Sequence, residues 1–245
     1  MEKEVKKKDL KEKEEVIDEK EKKKQLKESK KIRFKQNRQI FWIIFLMIAL
    51  ILIVAGVPFI IENYVNQFEH INLDFQKTRL GKIDFYSTRI PIADQFDNIL
   101  GTYSMNFRSN PRKLDFIKVD VPKNLVTFKN EEPVFISLDP EMEPCEDNSI
   151  GLINLAGFLR DFGNFNVSSS FTDKDYSYTE GYFFRDCDNT YGGTVIEIRS
   201  GEESKIEIIN SGCYRLTYKD CEIIPVTERF ILIILEKYMT YFMKV

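Results

Sequence analysis

Residues 133–169 read PVFISLDPEMEPCEDNSIGLINLAGFLRDFGNFNVSS. Val134 to Leu138 is a compact apolar run of strand length, bounded by Pro133 on one side and Asp139-Pro140 on the other. Ile150, Ile153, Leu155, Phe158, Leu159 and Phe162 then recur at helical spacing, and Gly163 is placed to end that helix. Phe165, Val167 and Ser169 alternate as a second strand does. Strand, helix, strand within this length is the βαβ unit, which implies a parallel pair with a right-handed crossover.

Working outward toward the C-terminus, further strands are expected at Tyr182–Phe184, Thr194–Arg199, Lys205–Ile209 and Tyr214–Tyr218. The middle two are joined by Gly201-Glu202-Glu203-Ser204. A last helix is expected from Thr227 to Phe242, with Phe230, Ile231, Ile234, Leu235, Tyr238, Met239 and Phe242 inward. Toward the N-terminus, Ile71, Leu73 and Phe75 alternate, as do Ile83 and Phe85 after Gly81, which reads as a β-hairpin. Tyr103, Met105 and Phe107 give another strand, closed by Ser109-Asn110-Pro111, and Ile117, Val119 and Val121 one more. The expected fold class is therefore α/β (α+β): a mixed sheet with a βαβ unit and a packed C-terminal helix over 131–245, preceded by a β-rich, membrane-proximal part over 62–130.

Before these comes a segment of different chemistry. Ile40 to Ile61, IFWIIFLMIALILIVAGVPFII, is twenty-two residues without a charge. As a helix it would span roughly 33 Å, enough for a hydrocarbon core of about 30 Å. The transmembrane helix is set at 39–61. It is too long for a secretory h-region, and Gly56-Val57-Pro58-Phe59 offers no A-x-A-like cleavage site, so an uncleaved anchor is expected.

Charge sets the orientation. From Lys22 to Arg38 nine residues are Lys or Arg and one, Glu28, is acidic. Residues 1–38 carry a net +6 and residues 62–245 a net −9. Positive charge beside a spanning helix stays inside, so the N-terminus is expected in the cytoplasm and the C-terminal domain outside it, at the cell membrane. The Lys22–Arg38 cluster also suits anionic lipid headgroups. Nucleic acid is not an expected partner, since Phe34 is the only aromatic before the apolar run. The arm 1–38 reads as helical or disordered. Its Lys and Glu content is that of a coiled coil, but Val5, Leu10, Val16, Ile17 and Leu26 do not recur at a and d of a heptad.

Cys145, Cys187, Cys213 and Cys221 all fall on the expected outer side, where disulfides are the default. Four cysteines allow three pairings. Cys213 and Cys221 bracket a segment that could fold as a tight hairpin, which favours Cys213–Cys221 with Cys145–Cys187. Cys145–Cys213 and free thiols are the alternatives. There is no C-x-x-C, and the one histidine, His70, lies near the expected span, where an exposed stalk residue is expected. With no G-x-S-x-G, Walker A or G-x-G-x-x-G, no catalytic residue or cofactor-binding motif is assigned and enzymatic activity is not expected.

Two features keep a chemical reading open. The loop after the first strand of the βαβ unit holds Asp139, Glu141, Glu143, Glu146 and Asp147, weak candidates for a divalent cation held through oxygen. The simpler reading is that Glu146 and Asp147 favour the next helix N-terminus and the rest are solvated. Asn166-Val167-Ser168 is an N-x-S sequon, but it opens a strand expected to be buried.

The segment CYRLTYKDCEIIPVTERF from Cys213 to Phe230, with Val134 to Pro140 and Pro144 to Asn148, resembles uncharacterised archaeal single-pass membrane proteins. The resemblance covers the span and the outer domain and implies no activity. The function expected is a membrane-anchored, non-enzymatic extracytoplasmic module that binds a protein or envelope component. The alternative is a surface enzyme or a small-ligand or cation receptor using the 139–148 loop.

Overall fold

The computed structural model describes residues 41–57, 66–93, 98–120, 126–128 and 132–242. The charged arm 1–38 and both ends of the apolar run lie outside these. The chain forms two compact units, Met1–Asn63 and Tyr64–Val245. In the first, helix α1 covers 41–57, and every residue but Ala49 and Gly56 is exposed. Among the described residues no helix is long and apolar enough to cross a membrane. At about 1.5 Å per residue the described part of α1 covers roughly 25 Å, short of a full span of about 30 Å.

The second unit opens with an antiparallel meander: β1 (Gln67–His70), β2 (Leu73–Leu80), β3 (Ile83–Ala93) and β4 (Ile99–Phe107), in spatial order 1-2-3-4. The expected hairpin is there, with its turn at Gly81, where φ is +64°. Alternation puts Leu73, Phe75, Ile90, Met105 and Phe107 on one buried face. A 3-10 helix, Pro111–Phe116, follows; Asn110 caps it by accepting a hydrogen bond from the Arg112 N–H.

The remaining strands are β5 (Lys118–Asp120), β6 (Val134–Leu138), β7 (Val167–Phe171), β8 (Phe183–Phe184), β9 (Thr194–Ser200), β10 (Lys205–Asn210) and β11 (Cys213–Tyr218). They make one mixed sheet in the order 5-10-11-9-6-7-8, parallel throughout except for the β10–β11 pair. The βαβ unit is as expected: β6, then α2 (Asn148–Gly157) widening into a π-helical turn over Phe158–Phe162, then β7 in parallel with β6. Two features are additional to those expected. A short helix α3 (Lys174–Glu180) lies between β7 and β8, with Asp173 accepting from the Tyr176 N–H at its start and Gly181 at φ +74° at its end. And β9 and β10, though joined by a short loop, do not pair, because β11 inserts between them.

Helix α4 runs from Ile223 to Phe242, beginning four residues before the expected Thr227. Phe230, Ile231, Leu232, Ile233 and Leu235 are all buried, so this helix is covered nearly all round rather than along one stripe. The cause is its position between the two sheets. On one side the Phe230 ring meets Tyr214 of β11, with centroids 5.3 Å apart. On the other the Tyr238 hydroxyl donates to the Pro91 carbonyl (2.8 Å) and accepts from the Ala93 N–H (3.2 Å) in β3. Residues of both sheets and of α2 and α4 share one hydrophobic core. Within Tyr64–Val245 the described strands of both sheets are therefore layers of one body, and β5 lies in the larger sheet.

Candidate functional site

The acidic loop leaves the carboxyl end of β6, beside β9, where the strand order reverses direction. Open α/β sheets place ligands at such a point. Here the loop folds down onto the sheet instead. The Glu143 carbonyl accepts from the Tyr218 hydroxyl (2.9 Å) and from Asn148 Nδ2 (2.9 Å), and the Glu143 N–H donates to Ser200 Oγ (3.2 Å). Cys145 is bonded to Cys221, just beyond β11. These bonds tie the loop to the ends of β9 and β11.

The loop carboxylates point to separate tasks. Asp139 Oδ1 accepts from the Glu141 N–H (2.9 Å), a local turn. Asp147 stands at the N-cap position of α2, where its carboxylate pairs with Arg108 Nη1 at 3.1 Å. Glu141, Glu143 and Glu146 are exposed. Among the described residues two groups of three would-be ligand atoms come together, Glu143 with Cys145 and Cys221, and Glu197 with Cys187 and Cys213. In both the sulfurs are spent on disulfides, so neither offers thiolate ligands.

Both disulfides differ from the pairing favoured on sequence. The bonds are Cys145–Cys221 and Cys187–Cys213, with Cα atoms 5.6 and 5.3 Å apart. Cys213 opens β11 and Cys221 follows its far end. At about 3.3 Å per residue a strand of this length holds them roughly 20 Å apart, beyond the reach of a disulfide. The segment between them is an extended central strand, not a hairpin. Each disulfide instead ties one end of β11 to a loop from elsewhere in the sheet.

On the sheet face away from the helices, Glu197 is buried among polar partners. Its Oε1 accepts from the Cys187 N–H (2.7 Å) and its Oε2 from Arg215 Nε (2.6 Å), on the neighbouring strand. Arg185 lies over the rings of Phe135 and Tyr191, 4.6 and 4.4 Å from their centroids. These contacts pin the 185–191 loop over that face. Nothing in the local sequence pattern marks Glu197 as paired, because its partners come from two other segments.

A second buried carboxylate, Glu228 of α4, is 1% exposed. Its oxygens accept from the Arg108 N–H (2.6 Å) and the Ser109 N–H (2.8 Å), joining the corner after β4 to the central helix. Burial pushes its carboxyl up to about 7, against the pull of those hydrogen bonds. His70 is not on a stalk. It lies in β1, half-buried beside Phe75 at 6.4 Å, and burial lowers its pKa. Asn166 is exposed just before β7, contrary to the expected burial of the sequon. No protein-family profile, no curated protein and no solved structure matches the chain.

Proposed function

We propose that this chain is a single-pass, membrane-anchored module, one of the archaeal single-pass proteins it resembles, with its folded unit outside the cytoplasm. The module acts by binding a protein or envelope component. The observation that carries the reading is α1: an uncharged helix whose large side chains, from Phe41 to Val54, are all exposed within its own unit. Water is a poor solvent for that much apolar surface, at about 25 cal/mol per Å², and lipid is a good one. The basic run Lys22–Arg38 before it, and a folded unit with two disulfides after it, fit the inside and outside of a membrane respectively. Binding is favoured over catalysis because, among the described residues, no cysteine or histidine is placed in a nucleophile–base pair. Every cysteine is in a disulfide, and the single histidine is half-buried in a strand beside Phe75.

Membranes from cells making the full-length protein, washed in alkaline carbonate, test this. The wild type stays in the pellet, and a variant with both Leu46→Lys and Leu50→Lys moves to the supernatant. Release of the wild type by carbonate overturns the anchor.

A further inference from the structure

The four-stranded sheet ends in β4, whose outer edge no described strand covers. The turns at Ile71-Asn72 and Gly81-Lys82 have two residues each, and such turns are closed by hydrogen-bonded pairs, here His70 with Leu73 and Leu80 with Ile83. The Lys77 N–H donating to the Asn66 carbonyl fits the same alternation. Carried through the register, Tyr86, Thr88 and Ile90 face Phe107, Met105 and Tyr103, so Thr102, Ser104 and Asn106 aim both N–H and C=O away from the sheet. Among the described residues no strand pairs with that edge. Edge strands are commonly protected by charge, proline or shortness. β4 is nine residues, ILGTYSMNF, with no charge and no proline.

Beyond the edge stands α2, and between them runs a groove of about 440 Å³. Ser104 and Asn106 form one wall; Ile153, Ala156 and Gly157 form the other. Ile153 is 68% exposed, an apolar side chain with no cover. We propose that this groove binds an extended, uncharged peptide segment of a partner protein, which adds as a fifth strand along β4 and sets an apolar side chain against Ile153 and Ala156. Main-chain hydrogen bonds would give affinity and the helix wall selectivity, as in other β-strand additions.

Charge complementarity fixes the occupant. Neither β4 nor α2 has a charged residue, and the two charges at the groove, Arg160 and Asp161, pair with each other at 2.8 Å. A charged side chain entering there would lose water and gain no partner. A second folded copy fits less well, because its β4 comes backed by its own α2.

This deepens the binding reading by naming the partner's chemistry. Measured in detergent, it stands or falls separately from the anchor, which carbonate extraction tests. A displayed library of random nine-residue peptides is selected on the detergent-solubilised full-length protein. The expected result is enrichment of uncharged sequences with apolar residues at alternate positions. Ser104→Pro removes an outward N–H that makes no bond within the sheet, and Ile153→Lys puts a charge on the exposed helix wall. Each should weaken the selected peptides at least tenfold with the melting temperature held, while Tyr178→Ala, on an exposed side chain of α3, should not. No enrichment, or binding that survives both groove substitutions, overturns the proposal. Enriched peptides that are lost with Tyr178→Ala would do so as well, by moving the site to α3.

Discussion

Glu228 is a buried carboxylate whose titration bears on the fold. Its folded pKa of about 7 lies above its ordinary value of 4.5, so the native state holds this proton more tightly than the unfolded chain does. The stability it contributes is therefore full below about pH 4.5 and lost as pH rises through 7, by roughly 3 kcal/mol. Urea titrations of the wild type across pH 5–8 should show this decline, and Glu228→Gln should flatten it. His70 acts in the opposite direction: its lowered pKa means stability falls as pH drops through the ordinary histidine range. The disulfides differ in reach. Cys145–Cys221 spans 76 residues and Cys187–Cys213 spans 26, which the chain-entropy model converts to roughly 4.5 and 3.5 kcal/mol. Replacing Cys145 and Cys221 together by Ser should lower the melting temperature by about 10 °C, read by calorimetry. A digest kept oxidised should yield the 145–221 and 187–213 linked peptides.

Among the elements, α2 and α4 are joined where Gly151 meets α4. A Cβ there would come within 3.3 Å of Thr227 Oγ1 and 3.4 Å of Ile223 Cγ1. Gly151→Leu should push the helices apart and cost about 1–3 kcal/mol, visible as a lower denaturation midpoint with unchanged slope. The elements that could be read from sequence were those with a clean local period: β6, α2 to Gly163, β7 and the Gly81 hairpin. Elements with conflicting or faint local signals were harder to read. Ile71 continues the Leu73, Phe75 alternation in sequence, yet it sits in a turn at φ +51°, a conformation β-branched residues avoid. The aromatic and acidic run 174–180 has no apolar stripe, though Asp173 and Gly181 were cap signals for α3 that could have been used. The six consecutive apolar residues Phe230–Leu235 already implied a helix covered on several sides. Strand order and disulfide pairing were not legible, because both depend on β11 inserting between β9 and β10, a non-local choice. The acidic loop was placed correctly at the end of β6, but Tyr218, Ser200 and Cys221, which tie it down, arrive from distant segments.

For the whole molecule, we propose that a single body, two sheets around α4, stands on the far side of a membrane from the charged arm. The native cysteines are all in disulfides, so an introduced thiol can report alone. Glu202 is exposed on the loop between β9 and β10, and Ser29 lies in the basic run before the apolar segment. The direct measurement is labelling of full-length Glu202→Cys and Ser29→Cys with a membrane-impermeant maleimide, in intact and in lysed cells. The account predicts that Glu202→Cys labels in intact cells and Ser29→Cys only after lysis. The reverse pattern, or labelling of both only after lysis, would contradict it.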